Sequence, residues 1–124
     1  MKLTLMKSKL HRATCTEADL NYEGSISIDP GLIDQAEFYH YERVDIYNIN
    51  NGNRFSTYVI PGRPGQIGVN GAAARLVSPG DKLIIVTYAE MEPEEARKHR
   101  PKVVLLEDNN HVKAVYSDSG HKLD

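Results

Sequence analysis

A glycine followed by serine, Gly24-Ser25, lies between Tyr22-Glu23 and the strand-like Ile26-Ser27-Ile28. A serine hydroxyl can attack the carbonyl that precedes it and move the acyl group from nitrogen to oxygen. The rearrangement needs a strained or exposed carbonyl, donors for the developing oxyanion and a nearby base. Glycine before the serine favours it, because a residue without a Cβ adopts conformations closed to others. The ester can then undergo β-elimination to dehydroalanine, which hydrolyses to a pyruvoyl group and ammonia. The outcome is a short chain ending at Gly24 and a longer one beginning at position 25. By itself, the dipeptide predicts only a turn or the start of a strand.

Other residues with chemical potential flank it: Lys9 and His11 upstream, Arg54, Thr57 and Tyr58 downstream, and Asn70-Gly71-Ala72-Ala73-Ala74 further on. Taken singly, Lys9 and Arg54 are surface cations, Tyr58 is a half-buried strand tyrosine, His11 a sheet histidine and Asn70-Gly71 a turn. In a strand, Arg54 and Tyr58 share a face with Ser56, and Thr57 points the other way. At about 3.3 Å per residue the two Cα atoms are about 13 Å apart, so one small ligand meets both only through the length of arginine and strand twist.

Several other chemistries are disfavoured. Cys15 shares a strand face with His11, but four strand residues are too far for a direct hydrogen bond and no third orienting group is evident. Cys15 therefore reads as a small buried hydrophobe. His11, His40, His99, His111 and His121 show no ligand spacing, so no metal site is expected. Gly62, Gly65 and Gly68 do not form a dinucleotide-binding fingerprint.

The 124 residues suffice for one domain with one modest core. Hydrophobic residues at 40% and charged residues at 26% describe a soluble globular chain, and the net charge of -2 is spread without a basic stripe. Nucleic-acid binding is therefore not expected. The longest apolar runs, Lys82-Leu83-Ile84-Ile85-Val86 and Val103-Val104-Leu105-Leu106, are strand-sized and too short to cross a bilayer. The first residues lack a secretion signal's apolar run and there is a single cysteine, so the expected location is the cytoplasm.

The elements that must position these residues are mainly β. Short runs rich in Val, Ile and Tyr alternate with turn residues, predicting strands at Thr4–Met6, His11–Thr16, Ser25–Ile28, Val44–Ile49, Arg54–Ile60, Ile67–Asn70, Lys82–Ala89 and Lys102–Glu107. Asn51-Gly52 is a strong hairpin signal. Asp29-Pro30 predicts a short helix over Gly31–Ala36, and Pro93–Lys98 has acids first and bases last, as a helix dipole favours. Asn70 can cap a brief turn over Gly71–Ala74. From about Asp108 the chain is polar and reads as a mobile tail. Eight short strands with little helix suggest a closed or nearly closed barrel.

Four motifs in order give a more specific reading. They are Lys9-Leu10-His11-Arg12, then Ala18-Asp19-Leu20-Asn21-Tyr22-Glu23-Gly24-Ser25, then Asn51-Gly52-Asn53-Arg54-Phe55-Ser56-Thr57-Tyr58, and finally Asn70-Gly71-Ala72-Ala73-Ala74. Together with Pro79-Gly80-Asp81 and the Ile84-Ile85 strand, they resemble the bacterial aspartate 1-decarboxylases over nearly everything but the tail.

The resemblance implies a six-stranded double-psi β-barrel in a homotetramer with sites between subunits. It also implies self-cleavage after Gly24 into chains 1–24 and 25–124, with Ser25 becoming a covalent pyruvoyl group that holds L-aspartate as a Schiff base. Such an imine draws electrons from the substrate Cα, as pyridoxal phosphate does elsewhere. Tyr58 would then protonate the carbanion, Arg54 would hold a substrate carboxylate, and Lys9, with His11 close by, would be the second cation. Thr57 and the Gly71-Ala72-Ala73 turn would contact substrate, and Asn70 and Thr57 would steady the oxyanion during cleavage. The implied reaction is decarboxylation to β-alanine and CO2 for pantothenate synthesis. Two alternatives stay open: a pyruvoyl-dependent decarboxylase of another acidic amino acid, and a non-catalytic β-barrel that binds a small anion through Lys9 and Arg54.

Overall fold

A computed structural model describes residues 1–117. It is mainly β, with nine strands and two short helices: β1 (Leu3–Thr14), β2 (Glu17–Asp19), β3 (Ser25–Ile28), α1 (Pro30–Ala36), β4 (Arg43–Asn48), β5 (Arg54–Pro61), β6 (Ile67–Asn70), β7 (Lys82–Met91), α2 (Pro93–Lys98), β8 (Lys102–Glu107) and β9 (His111–Tyr116). A 3-10 turn over Gly71–Leu76 follows β6, and another over Asp108–Asn110 precedes β9. No helix among the described residues is long and apolar enough to cross a membrane.

The strands hydrogen-bond in the order β2-β6-β3-β5-β4-β7-β1-β8-β9. β2–β6, β3–β5 and β1–β8 are parallel; the other neighbours are antiparallel. The sheet cannot be flat. β1 and β2 stand six places apart in it, about 29 Å at ordinary strand spacing. Yet the chain from Thr14 to Glu17 spans at most about 11 Å. The sheet therefore curls until the chain leaving β1 meets β6, where Thr16 N donates to Ile67 O at 2.8 Å.

The inner side of the curl holds one core, in which Leu10, Ile26, Ile46, Val59, Leu83, Ile85 and Val104 are wholly buried. Cys15 is buried there too, its Sγ against Glu17 O at 3.4 Å, and burial pushes its thiol up to about 11. Alternation along β4 and β5 turns Val44, Ile46 and Val59 inward and leaves Arg43, Arg54, Ser56 and Tyr58 exposed on the outer side. Both predicted helices form; Asp29 caps α1 by accepting from Gly31 N at 2.7 Å and ties it to the next loop through Gly65 N at 2.7 Å.

Two sequence expectations need correction. The segments Thr4–Met6 and His11–Thr16 belong largely to one strand, β1, which ends at Thr14 and runs through the polar Lys7-Ser8-Lys9 with register shifts at Met6/Ser8 and His11/Ala13. Those bulges let Ser8 and Leu10 face inward, an alternation that lysines on either side conceal. The chain beyond Asp108 is also structured as far as Tyr116. β9 pairs with β8, and Asn110 ties it down by accepting from Thr14 N at 2.7 Å and donating to Thr14 O and Gly65 O. The tail expectation for residues 118–124 lies outside the described residues.

Candidate active site

Ser25 opens β3 in an unusual conformation. Its φ of 153° lies in a region that residues with a side chain rarely adopt, and its side chain is only 1% exposed. Holding a non-glycine residue there costs on the order of 1–3 kcal/mol, which the surrounding pairing must offset. That pairing is with β6: Ser25 lies opposite Asn70, and Ser27 opposite Gly68. Asn70 Nδ2 donates to Ser25 Oγ at 2.9 Å and to Ser27 Oγ at 3.0 Å. The strand therefore fixes the hydroxyl's lone pairs and leaves its proton free. Asn70 grips the hydroxyl here, whereas the oxyanion role would need its amide turned to the Gly24 carbonyl.

Directly after Asn70 the chain reverses through Gly71, with φ of 74°. A Cβ at this position would sit 2.8 Å from Gly24 Cα and 3.0 Å from Gly24 N. Glycine is thus required twice, for its backbone angle and for the close approach of two backbones. Gly24, Ser25, Asn70 and Gly71 form one cluster. Ala72 is exposed and Ala73 half-buried along the following turn. A cleft of about 460 Å³ opens beside Asn70 and Ser27, with Tyr22, Asp19 and Arg63 on its walls.

Tyr58 belongs with this cluster. β3 and β5 run parallel with Ile26 opposite Val59, so Ser25 and Tyr58 are the preceding residues on adjacent strands, about 4.8 Å apart in backbone spacing. The Tyr58 ring lies against Tyr41, centroids 6.3 Å apart and tilted 40°. Tyr41, at φ 69°, donates its N–H to Val59 O at 2.7 Å, and Glu42 O accepts from Val59 N at 3.1 Å. The Glu42 carboxylate anchors this turn, accepting from Lys7 Nζ at 3.0 Å, Thr87 Oγ1 at 2.8 Å and Tyr39 N at 2.9 Å. Thr57 is paired with Val44 and faces the opposite side of β5, so this protomer does not bring it to Ser25.

The cations form a second group on the outer side. Arg54, Tyr47, Ile84 and His11 make one row across β5, β4, β7 and β1; Ser56, Asp45, Val86 and Lys9 make the next. The Arg54 guanidinium stacks 4.3 Å from the centre of the Tyr47 ring, and Tyr47 Oη lies 2.7 Å from Tyr88 Oη. Burial, the Tyr47 hydrogen bond and the charges of Tyr47 and Asp45 push Tyr88 up to about 12, so it remains protonated. His11 Nδ1 is buried without a hydrogen-bond partner. Burial, then the positive charges of Lys9 and Arg12, hold its pKa below the usual 6.5, so it is neutral near pH 7.

Arg54 and His11 are three strand spacings apart, about 14 Å, a gap that long side chains over the sheet can narrow. Lys9 and His11 are four spacings from Ser25, about 19 Å along the sheet. One protomer therefore assembles Gly24, Ser25, Tyr58, Asn70 and Gly71 in one place, sets Lys9 and His11 on β1 apart from it, and leaves Arg54, four residues before Tyr58 on β5, between the two.

The sequence model for aspartate decarboxylase matches residues 1–113, which include every residue of both groups. The chain belongs to the aspartate decarboxylase family. It is 57% identical over 121 residues to the aspartate 1-decarboxylase of Hydrogenobaculum sp. (strain Y04AAS1), covering 98% of this chain and 97% of that one. The aspartate 1-decarboxylase of Clostridium acetobutylicum is 54% identical over 123 residues, with 98% and 97% covered. That of Ralstonia nicotianae is 53% identical over 117 residues, with 93% and 98% covered.

Within this aspartate decarboxylase fold, sequence reasoning missed the supports: Glu42 behind Tyr58, and Tyr47 with Tyr88 beneath Arg54. Alternation in Asp45-Ile46-Tyr47 does place Tyr47 outward, on the face of Arg54. Nothing in the sequence joins it to a tyrosine 41 positions away.

Proposed function

We propose that this chain is a self-processing, pyruvoyl-dependent decarboxylase that converts L-aspartate to β-alanine and CO2, the step that supplies pantothenate synthesis in the cytoplasm. The observation that carries the reading is Ser25, held at a strained φ with its hydroxyl gripped by Asn70 and with Gly71 leaving room for Gly24 where a Cβ would collide with it.

Those residues fit the formation of the group at position 25. Ser25 Oγ attacks the Gly24 carbonyl carbon, the C–N bond breaks, and the freed nitrogen takes the hydroxyl proton. Loss of the Ser25 Cα proton then expels Gly24 as a carboxylate, and water displaces the nitrogen as ammonia. Relief of the Ser25 strain favours the first step, as does the exposed position of Gly24. A pyruvoyl group there supplies an electron sink for the pair left behind as CO2 departs.

The chain's own residues do the rest. Arg54 and Lys9 hold the two carboxylates of the substrate between them, the planar guanidinium offering a bidentate grip. Neutral His11, its Nδ1 unpartnered, adds a hydrogen bond beside Lys9. Tyr58, adjacent to Ser25, donates the proton that replaces the lost carboxylate. Thr57 and the N–H groups of Gly71, Ala72 and Ala73 orient the substrate. The four strand spacings between Ser25 and β1, which carries Lys9 and His11, support an assembly, a homotetramer, in which sites lie between subunits. The curled sheet with its parallel pairs suits the six-stranded double-psi barrel as the core of each protomer.

Intact mass is the test. Active protein is expected as two fragments divided after Gly24, and Ser25→Ala as one uncleaved, inactive chain. Active protein with the mass of the whole chain overturns the reading, and faster CO2 release from glutamate than from aspartate reassigns the substrate.

A further inference from the structure

The outer face of the sheet carries a feature that none of the roles above uses. Tyr47 lies opposite Ile84, and Tyr88 is four residues further along β7, so their Cα atoms are more than about 13 Å apart. Their hydroxyls nevertheless meet at 2.7 Å. Both rings must therefore lie along the sheet, end to end, rather than stand up from it. Val86, between them on the same side of β7, is only 1% exposed although it faces outward. A groove of about 400 Å³ runs beside Tyr88 and Val86, bounded by Arg43, Asp45 and Thr4.

Arg54 rests on this strip. Its guanidinium stacks on the Tyr47 face, which engages the flat of the group and leaves its N–H edges free. No ion pair of Arg54 exists among the described residues. A flexible side chain is thus held by one aromatic platform, and that platform is itself pinned at its far end by Tyr88.

We propose that Tyr88, acting through Tyr47, is a positioning residue for Arg54 and thereby a determinant of which acidic substrate length the site accepts. The inference rests on Arg54 as carboxylate holder. Aspartate and glutamate differ by one methylene, a difference that shape alone discriminates weakly. Discrimination sharpens when the cation that receives the distal carboxylate is fixed at one distance from the reacting centre. Loosening Tyr47 lets Arg54 follow the longer substrate and weakens its grip on the shorter one.

The experiment is a double-mutant cycle of Tyr47→Phe and Tyr88→Phe in the full-length protein. Processing is followed by intact mass, steady-state kinetics with aspartate and glutamate, and succinate affinity by calorimetry. Each single variant is expected to process normally, to raise the KM for aspartate and the Kd for succinate roughly three- to tenfold, and to keep kcat within about twofold. The preference for aspartate over glutamate narrows. Because both substitutions remove one hydrogen bond, the double variant is expected to be no worse than either single. Unchanged KM and Kd in both singles overturns the proposal, as do effects that multiply in the double or a loss confined to kcat. Wild-type protein that binds no succinate also overturns it. Wild-type protein that binds succinate but releases no CO2 from aspartate overturns the decarboxylase reading instead, and the succinate cycle still decides the role of Tyr88.

Discussion

The side-chain amide of Asn70 spans two serines of the neighbouring strand, 2.9 Å from Ser25 Oγ and 3.0 Å from Ser27 Oγ. A single donor group thus orients the Ser25 hydroxyl and braces it against the next residue on the same face. Removing it in Asn70→Ala leaves both buried hydroxyls without this partner. Processing is expected to slow by roughly 10- to 100-fold, the loss of one well-placed hydrogen bond in a buried site. Ser27→Ala removes only the brace and is expected to slow processing less than about threefold. The half-life of the full-length species, followed by intact mass, checks both. Wild-type processing in Asn70→Ala is the contrary result.

Two glycines with similar backbone angles separate strain from crowding. Gly52, at φ 78°, has nothing within 4 Å of a built Cβ, whereas Gly71, at φ 74°, meets Gly24 Cα at 2.8 Å. Gly52→Ala therefore carries the backbone cost alone, about 1–2 kcal/mol. Gly71→Ala adds a backbone clash and is expected to lose about 3 kcal/mol or more, and, by moving Gly24, to slow the proposed cleavage. Urea unfolding gives the first quantity and fragment mass the second. Equal stabilities of the two variants would remove the argument from close approach.

The chain's β content, both helices and the strands that carry Ser25, Arg54 and Tyr58 were legible because alternation and turn residues report local structure directly. Ser25–Ile28 and Ile67–Asn70 were placed without error for that reason. β1 was not, since its bulges shift the alternation at Lys7 and Arg12 and break the period that marks a strand. β9 was missed because it is almost wholly exposed and lies in a polar stretch after Asp108-Asn109-Asn110, its place being set by pairing with β8 and by Asn110. At the site, the motifs named Ser25, Tyr58, Arg54 and Lys9. They carried no sign that strand order sets Lys9 on β1 four places from Ser25 on β3 along the sheet, a property that no local pattern encodes.

His11 predicts a pH dependence of stability. Its folded pKa lies below its ordinary 6.5, chiefly through burial and then through Lys9 and Arg12. Between the two values the unfolded chain binds more protons than the folded one, so stability rises with pH there. The contribution is complete above about pH 6.5 and is lost as pH falls toward the folded value. A His11→Gln variant removes this titration. Its Tm is expected to fall less than that of the wild type between pH 7.5 and pH 5. Parallel Tm curves would show that His11 titrates alike in both states.

Glu42 links the stability of the fold to the posture of Tyr58. Its carboxylate receives Lys7, Thr87 and the Tyr39 N–H, and the side chains of Lys7 and Glu42 are only 25% and 19% exposed. Glu42→Ala leaves a half-buried ammonium and a buried hydroxyl unpaired, at a cost of about 2–4 kcal/mol. Glu42→Gln keeps an acceptor but no charge and is expected to lose about half as much. Both loosen the turn that presses Tyr41 on Tyr58, while the Ser25–Asn70 contact lies outside that turn. Turnover is therefore expected to fall in the order wild type, Glu42→Gln, Glu42→Ala, with cleavage after Gly24 retained in all three. Loss of cleavage in step with turnover would place the effect on the whole sheet, since the proposed role of Tyr58 follows formation of the group at position 25.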